Sequence, residues 1–381
     1  MIYLDNSASS FIKPKNVQKA VLNALNFYTA NPGRSGHKQA IRAALEVEKV
    51  RSIVAQHVNT TSDKIIFTLN CTDALNLAIL GTHKQGGHAI CTINEHNSVL
   101  RPLEHLKCID PNFSYTIAEQ SGKVGLVWQD IEKHITEQTY IVIVNHISNV
   151  NGDTASIENI GKELQQRNIL FLVDGAQGGG HFHYDMQKMG INLLTLAPHK
   201  GFYSPQGVGC LALCGNIQVN PIRFGGTGTN SLELFQPTSL PERLESGTLN
   251  TPAILGFGEG IKFVEDNFDH IHSKLEDLTT YLHYEFSKMQ IDIYTKTENT
   301  NGVFAFNIPN VESTDIANFL DEKWGICVRS GYHCAPLKHK SLGTLDHGAV
   351  RVSMSYFNTY QEIEKLVLAI KSFLKRKTNF K

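Results

Sequence analysis

The stretch from Ile169 to Gly209, ILFLVDGAQGGGHFHYDMQKMGINLLTLAPHKGFYSPQGVG, constrains this chain more than any other. It opens on an unbroken apolar run, Ile169 to Val173, that ends on Asp174. A second run, Leu193 to Ala197, ends on Pro198-His199-Lys200. Continuous apolar runs of this length mark strands covered on both faces, as in a parallel sheet between helices. Two such strands finishing side by side place a carboxylate and an amine at the carboxyl edge of an open sheet, where these sheets bind ligands.

Pyridoxal phosphate chemistry needs such a pair. A lysine holds the cofactor as a Schiff base, and a carboxylate against the pyridinium nitrogen keeps the ring an electron sink. An isolated Asp and Lys at strand ends would instead cap a turn and lie in solvent, so the surrounding motifs decide.

Those motifs are VDGAQ, the His-Lys pair, EHNSVL from Glu95, RSGYHCA from Arg329 and RVSMSYFNT from Arg351. In this order, from Tyr3 to the last helix, the chain resembles the cysteine desulfurases of the class V aminotransferase family, nearest the group with an RxGxHCA loop. The resemblance implies an α/β protein, a PLP-dependent transferase of fold type I. A mostly parallel sheet would form a large domain over 14–262. Residues 1–13 and 263–381 would form a smaller α+β domain carrying the cysteine loop.

The resemblance also implies the site. Lys200 carries the cofactor, Asp174 faces its ring nitrogen, and Gln177 and Asn149 reach its phenolic oxygen. His96 lies on the ring face and helps move protons. Asn70, Cys71, Thr72 and His199 bind cofactor groups, and Thr248 reaches the phosphate bound by a second subunit. Arg351 grips the substrate carboxylate, with Arg329 and Asn149 beside it, and Cys334 takes sulfur from L-cysteine as a persulfide. A homodimer is implied, and a docking sulfur-acceptor protein is a possible partner. An ordinary cysteine is only a few per cent thiolate at neutral pH. The cations expected near Cys334 are His333, Lys338 and His339.

Composition sets bounds. A chain of 381 residues, 41% hydrophobic, supports a large core and two domains. A formal net charge of -1 gives no basic excess for nucleic acid. The N-terminus MIYLDNSASSFIKPK lacks a signal-peptide core, and no apolar run is long enough to span a bilayer, so a soluble cytoplasmic protein is expected. Seven cysteines without framework spacing read as reduced thiols. Cys210 and Cys214 have no second pair to complete a zinc site, so no metal is expected.

Along the chain, helical spacing follows Pro14, and a Gly/Pro-rich loop, NPGRSGHKQ, leads into a second amphipathic helix. KIIFTLNCTDALNLAIL reads as strand, turn and helix. The free N–H groups at that helix start make a phosphate seat. HAICTI and YIVIVN read as further strands, and Ile157 to Gln166 as a helix. After Phe263 the periodicity becomes long and helical, marking the expected domain boundary. DIANFLDEKWG reads as a helix ending at Gly325, followed by strands at ICVRSG and AVRVSMSY.

Two departures from the family pattern stand out. Ala197-Pro198 replaces a Ser-Gly pair before the lysine, and Asn70-Cys71-Thr72 replaces Gly-Thr-Thr. Both remove hydroxyls from the phosphate cup. A PLP relative such as a selenocysteine lyase, an aminotransferase or a C–S lyase would not need Cys334. A dinucleotide-binding oxidoreductase using Gly175 to Gly180 lacks the fingerprint's glycine spacing and its acidic residue.

Overall fold

A computed structural model describes residues 1–33, 35–121, 125–229 and 231–378. In chain order come β1 (Ile2–Tyr3), α1 (Lys15–Phe27), α2 (Lys38–His57), β2 (Ile65–Thr68), α3 (Cys71–Gly81), β3 (His88–Thr92), α4 (Asn97–Ile109) and β4 (Ser114–Ala118). Then follow α5 (Trp128–Glu132), β5 (Thr139–Asn145), α6 (Ile157–Gln166), β6 (Leu170–Asp174), β7 (Leu193–Leu196), β8 (Gly209–Leu213) and α7 (Thr251–Phe286). The chain closes with β9 (Asp292–Ile293), β10 (Val303–Asn307), α8 (Ser313–Trp324), β11 (Ile326–Cys327), α9 (Pro336–Ser341), β12 (Val350–Ser353) and α10 (Tyr360–Thr378).

Strand followed by helix recurs, and the strands gather into a seven-stranded sheet of order β2-β8-β7-β6-β5-β3-β4. Only β8 runs against its neighbours β2 and β7; the others pair in parallel. Alternation along β6 sends Phe171 and Val173 into one apolar cluster and Leu172 into another on the opposite face. Burial on both sides is why the run carries no polar residue before Asp174, each such side chain contributing about 1.5–3 kcal/mol. The register pairs Asn145 with Asp174 and Asp174 with Thr195, so these strand ends are level and Lys200 follows just beyond β7.

A three-stranded sheet, β12-β10-β9, and the parallel pair β1-β11 bring the two ends of the chain together. The bridge from Asp5 to Ser353 extends that junction. Gly325 ends α8 in the left-handed conformation, φ 62, as its position after the periodic run implies. Two details differ from the sequence reading. The long periodicity after Phe263 is the second half of α7, which starts at Thr251 and runs unbroken past 262/263. The ICVRSG strand is two residues long, with Arg329 adding one bridge to Arg351.

The glycine tract has a packing cause. A Cβ on Gly180, at φ 84, would lie 2.3 Å from the carbonyl oxygen of Gly201. The tract lets the turn after β6 lie directly against the turn holding Lys200, which is a reason for glycine other than phosphate binding. Among the described residues no helix is long and apolar enough to cross a membrane.

Candidate active site

Asp174 ends β6 and is buried. Its Oδ1 accepts from Ala176 N at 2.9 Å, with Cys71 Sγ at 3.9 Å, and its Oδ2 accepts from Asn145 Nδ2 at 3.3 Å. The carboxylate is thus fixed from three sides at the sheet edge. Lys200 sits in a tight turn: its N–H donates to Ala197 O at 3.1 Å, and its carbonyl accepts from Tyr203 N at 3.0 Å. Burial lowers the Lys200 amine from its usual range, Cys71 and Asp174 oppose that, and Arg351 and Arg329 add to it. An amine that loses its proton more readily is present more often at neutral pH as the free amine that can attack or accept a proton.

Two helices begin at the same edge. Asn70 caps α3, its Oδ1 accepting from Asp73 N at 2.9 Å, which leaves Cys71 and Thr72 in the first turn where N–H groups lack helical partners. His96 caps α4, its Nδ1 accepting from Ser98 N at 3.1 Å. Ser98 Oγ lies 2.8 Å from Thr72 Oγ1 and 2.9 Å from His96 Nδ1, tying the two N-termini together. Burial, with the Lys200 charge next, holds His96 down at about 4, so it is neutral at pH 7. His199 is also held at about 4, chiefly by burial, and its buried Nδ1 has no protein partner. Gln177 is buried, its Nε2 donating to Ser7 O at 2.9 Å. Thr248 is exposed and accepts from Asn31 Nδ2 at 3.2 Å; among the described residues no hydrogen bond joins it to the Lys200 cluster.

The cysteine loop is fastened to this edge. Asn97 N donates to Cys334 O at 2.8 Å, and Asn149 Nδ2 donates to His333 O at 2.7 Å. His333 and Cys334 both adopt positive φ, 51 and 56, which places the half-buried Cys334 on a sharply turned backbone. Its expected cations prove otherwise engaged. Lys338 is buried and paired with Asp153 at 2.7 Å. Burial pushes His333 down to about 2 and His339 to about 4, so both rings are neutral. The cation beside the sulfur is Arg329, with Nη2 3.8 Å from Sγ.

Arg351 is fully buried and already engaged. Nη2 holds Asp5 Oδ1 at 2.5 Å and Nη1 donates to Asn149 O at 2.9 Å, while its Nε has no partner. The expected open fork is therefore half closed by Asp5, a residue the sequence reading passed over. Asn149 Oδ1 is also buried without a partner.

Sequence reasoning also missed Glu95, fully buried behind the site. Its Oε1 accepts from Thr92 Oγ1 at 2.6 Å and Asn145 N at 2.8 Å, so Asn145 links it to Asp174. Burial pushes Glu95 up from 4.5 to about 8. The folded state therefore favours its protonated form. The associated stability is full below about pH 4.5 and is lost as pH rises to about 8, on the order of a few kcal/mol. Glu95→Gln keeps a neutral acceptor, so the melting temperature of the parent relative to this variant is expected to fall across that window. A difference that does not change with pH would contradict the assignment.

The donor set fits pyridoxal phosphate: a lysine on a fixed turn, a carboxylate level with it, a neutral imidazole, a helix start, and buried polar atoms on His199, Asn149 and Arg351 left without partners. Ala197 and Cys71, expected at the phosphate end, both belong to the apolar cluster on that face. Ala197→Ser is expected to tighten the cofactor by roughly 1.5–3 kcal/mol, the value of one hydrogen bond to a charged group. Titration of the apo-protein showing equal or weaker affinity would contradict this.

Fold and site together define a pyridoxal-phosphate enzyme. The family model "Aminotransferase class-V" matches residues 2–366, and the chain belongs to that family. A probable cysteine desulfurase of Methanothermobacter thermautotrophicus is 33% identical over 375 residues, covering 96% of this chain and 92% of that protein. One of Pyrococcus abyssi is 32% identical, covering 98% and 94%. A solved apo structure of a cysteine desulfurase from Thermococcus onnurineus superposes with a TM-score of 0.91 at 30% identity, covering 98% of this chain and 94% of that one.

Proposed function

We propose that this chain is a cysteine desulfurase: it converts L-cysteine to L-alanine and carries the sulfur on Cys334. The observation that carries the reading is the fastening of the Cys334 loop to the start of α4, through Asn97 N and Cys334 O, beside His96. When bound, pyridoxal phosphate supplies an electron sink for negative charge developing on the substrate carbon skeleton. Asp174 holds its carboxylate against the ring nitrogen. The Lys200 amine carries the cofactor and moves the α-proton, helped by the neutral His96 imidazole. Asn70, Cys71, Thr72 and His199 seat the phosphate end, and Gln177 and Asn149 the phenolic oxygen. Arg351 draws the substrate carboxylate to its unpartnered Nε side, with Asp5 yielding part of the fork. Arg329 Nη2 stands 3.8 Å from Cys334 Sγ, and the reacting form of a cysteine is its thiolate. That thiolate attacks the substrate sulfur: an S–S bond forms, the C–S bond breaks, and the electron pair stays on carbon, which takes up protons and leaves as alanine.

With L-cysteine and excess thiol reductant, equal amounts of alanine and sulfide are expected. Pyruvate and ammonia in place of alanine would overturn the reading in favour of a C–S lyase. Acceptance of selenocysteine with refusal of cysteine would favour a selenocysteine lyase.

The same reading includes a homodimer in which Thr248 reaches the partner's phosphate site. Its support is a run of large apolar residues left in water: Leu232 is 98%, Leu234 99% and Phe235 86% exposed. Side chains of this size clustered on a surface segment mark an interface. Light scattering is expected to give a dimer, and L234D with F235D together a monomer. A monomeric parent with full activity would rule the interface out. Residues 14–262 are assigned to a large domain and 1–13 with 263–381 to a small one, with α7 shared between them. Seven free thiols favour a reducing compartment, the cytoplasm. The half-buried Cys334 lies in a short loop, so a sulfur-acceptor protein must come to it.

A further inference from the structure

His57 ends α2, Glu265 lies on α7, and His183 lies in the turn after the glycine tract. Far apart in sequence, they meet on the surface behind the Lys200 turn. One ligand atom from each lies within 4.8 Å of the other two, and among the described residues no other trio of His, Cys, Asp or Glu does so. His57 Nδ1 contacts Glu265 Oε1, and the His57 side chain is 2% exposed.

As an ordinary surface pair, His57 and Glu265 would need no third member. Two features argue for more. His57 Nδ1 is the ring nitrogen turned to Glu265 and open to a shared ion, because Nε2 is buried. His183 is exposed and packs on Phe268, 3.8 Å between ring centroids, with its ring 6.0 Å from that of His57.

We infer that His57, His183 and Glu265 form a binding site for a borderline divalent cation of the Zn2+ class. Two imidazoles and a carboxylate, with solvent in the fourth position, are a zinc donor set. Bond lengths of about 2.0–2.2 Å in a tetrahedron need donor atoms roughly 3.5 Å apart, so small side-chain rotations complete it. The site joins α2, α7 and the turn after β6. It also backs Phe202, two residues past Lys200, whose ring meets His57 edge-on at 5.3 Å. Occupancy braces the Lys200 turn from outside and raises thermal stability. The inference does not depend on the proposed activity.

The test uses the holoenzyme carrying Cys334→Ala, so that the mouth thiol cannot compete. Calorimetric titration with ZnCl2 is expected to show one tight site per chain and an upward shift in melting temperature. Changes outside the ligand set alone cost roughly 10–100-fold in affinity, so His183→Ala or Glu265→Ala is expected to weaken binding by about 100-fold or more and remove the shift. Both positions are exposed, so both variants should fold. Absence of tight binding, or equal affinity in parent and variants, would overturn the site.

Discussion

Lys200→Ala is expected to abolish turnover, with a fall of at least about a thousandfold, or roughly 4 kcal/mol in barrier. The Lys200 turn is held by backbone bonds to Ala197 and Tyr203 that do not involve the amine, so the variant should fold normally. The visible absorbance of lysine-bound cofactor should vanish while cofactor still binds reversibly through the α3 start. In the parent, borohydride should fix the cofactor to the peptide containing Lys200. Labelling at another lysine, or a variant that keeps more than about a tenth of parent turnover, would remove Lys200 from its role.

The second large effect is expected at Cys334. Cys334→Ala should keep the cofactor, its absorbance and its spectral response to L-cysteine, because those depend on Lys200 and Asp174. Sulfide release should nevertheless fall by about two orders of magnitude or more, the scale of losing a positioned reacting group. The loop should survive, because it is held by the backbone of residues 333 and 334 and by the buried Lys338–Asp153 pair. Alanine and sulfide produced at the parent rate would assign the chemistry to the cofactor alone.

Much of this arrangement was legible in sequence because its cause is local. Asp174 could be read from an apolar run that stops on a carboxylate, and β6 does run from Leu170 to Asp174. The start of α3 could be read from a polar turn before an apolar pattern, and Asn70 caps it; α4, which His96 caps, was not read as a helix. What escaped depends on contacts across long separations. Asp5 meets Arg351 only because β1 and β12 converge, and Glu95 reaches Asp174 only through the parallel register of β5 and β6. The electrostatics around Cys334 were misjudged for the same reason. His333 precedes it and His339 follows five residues later, but burial neutralises both, and Lys338 turns to Asp153. Arg329, five residues earlier, supplies the charge. The His57, His183 and Glu265 trio carries no local spacing at all, so nothing in the chain order marks it.

The central claim, that Cys334 receives the sulfur of L-cysteine, is tested most directly by mass spectrometry of the holoenzyme after a single turnover without reductant. The account predicts one alanine released per active site and the mass of one added sulfur atom on the peptide containing Cys334. Alanine formed while that peptide remains unmodified, or sulfur found on a different cysteine, would contradict it.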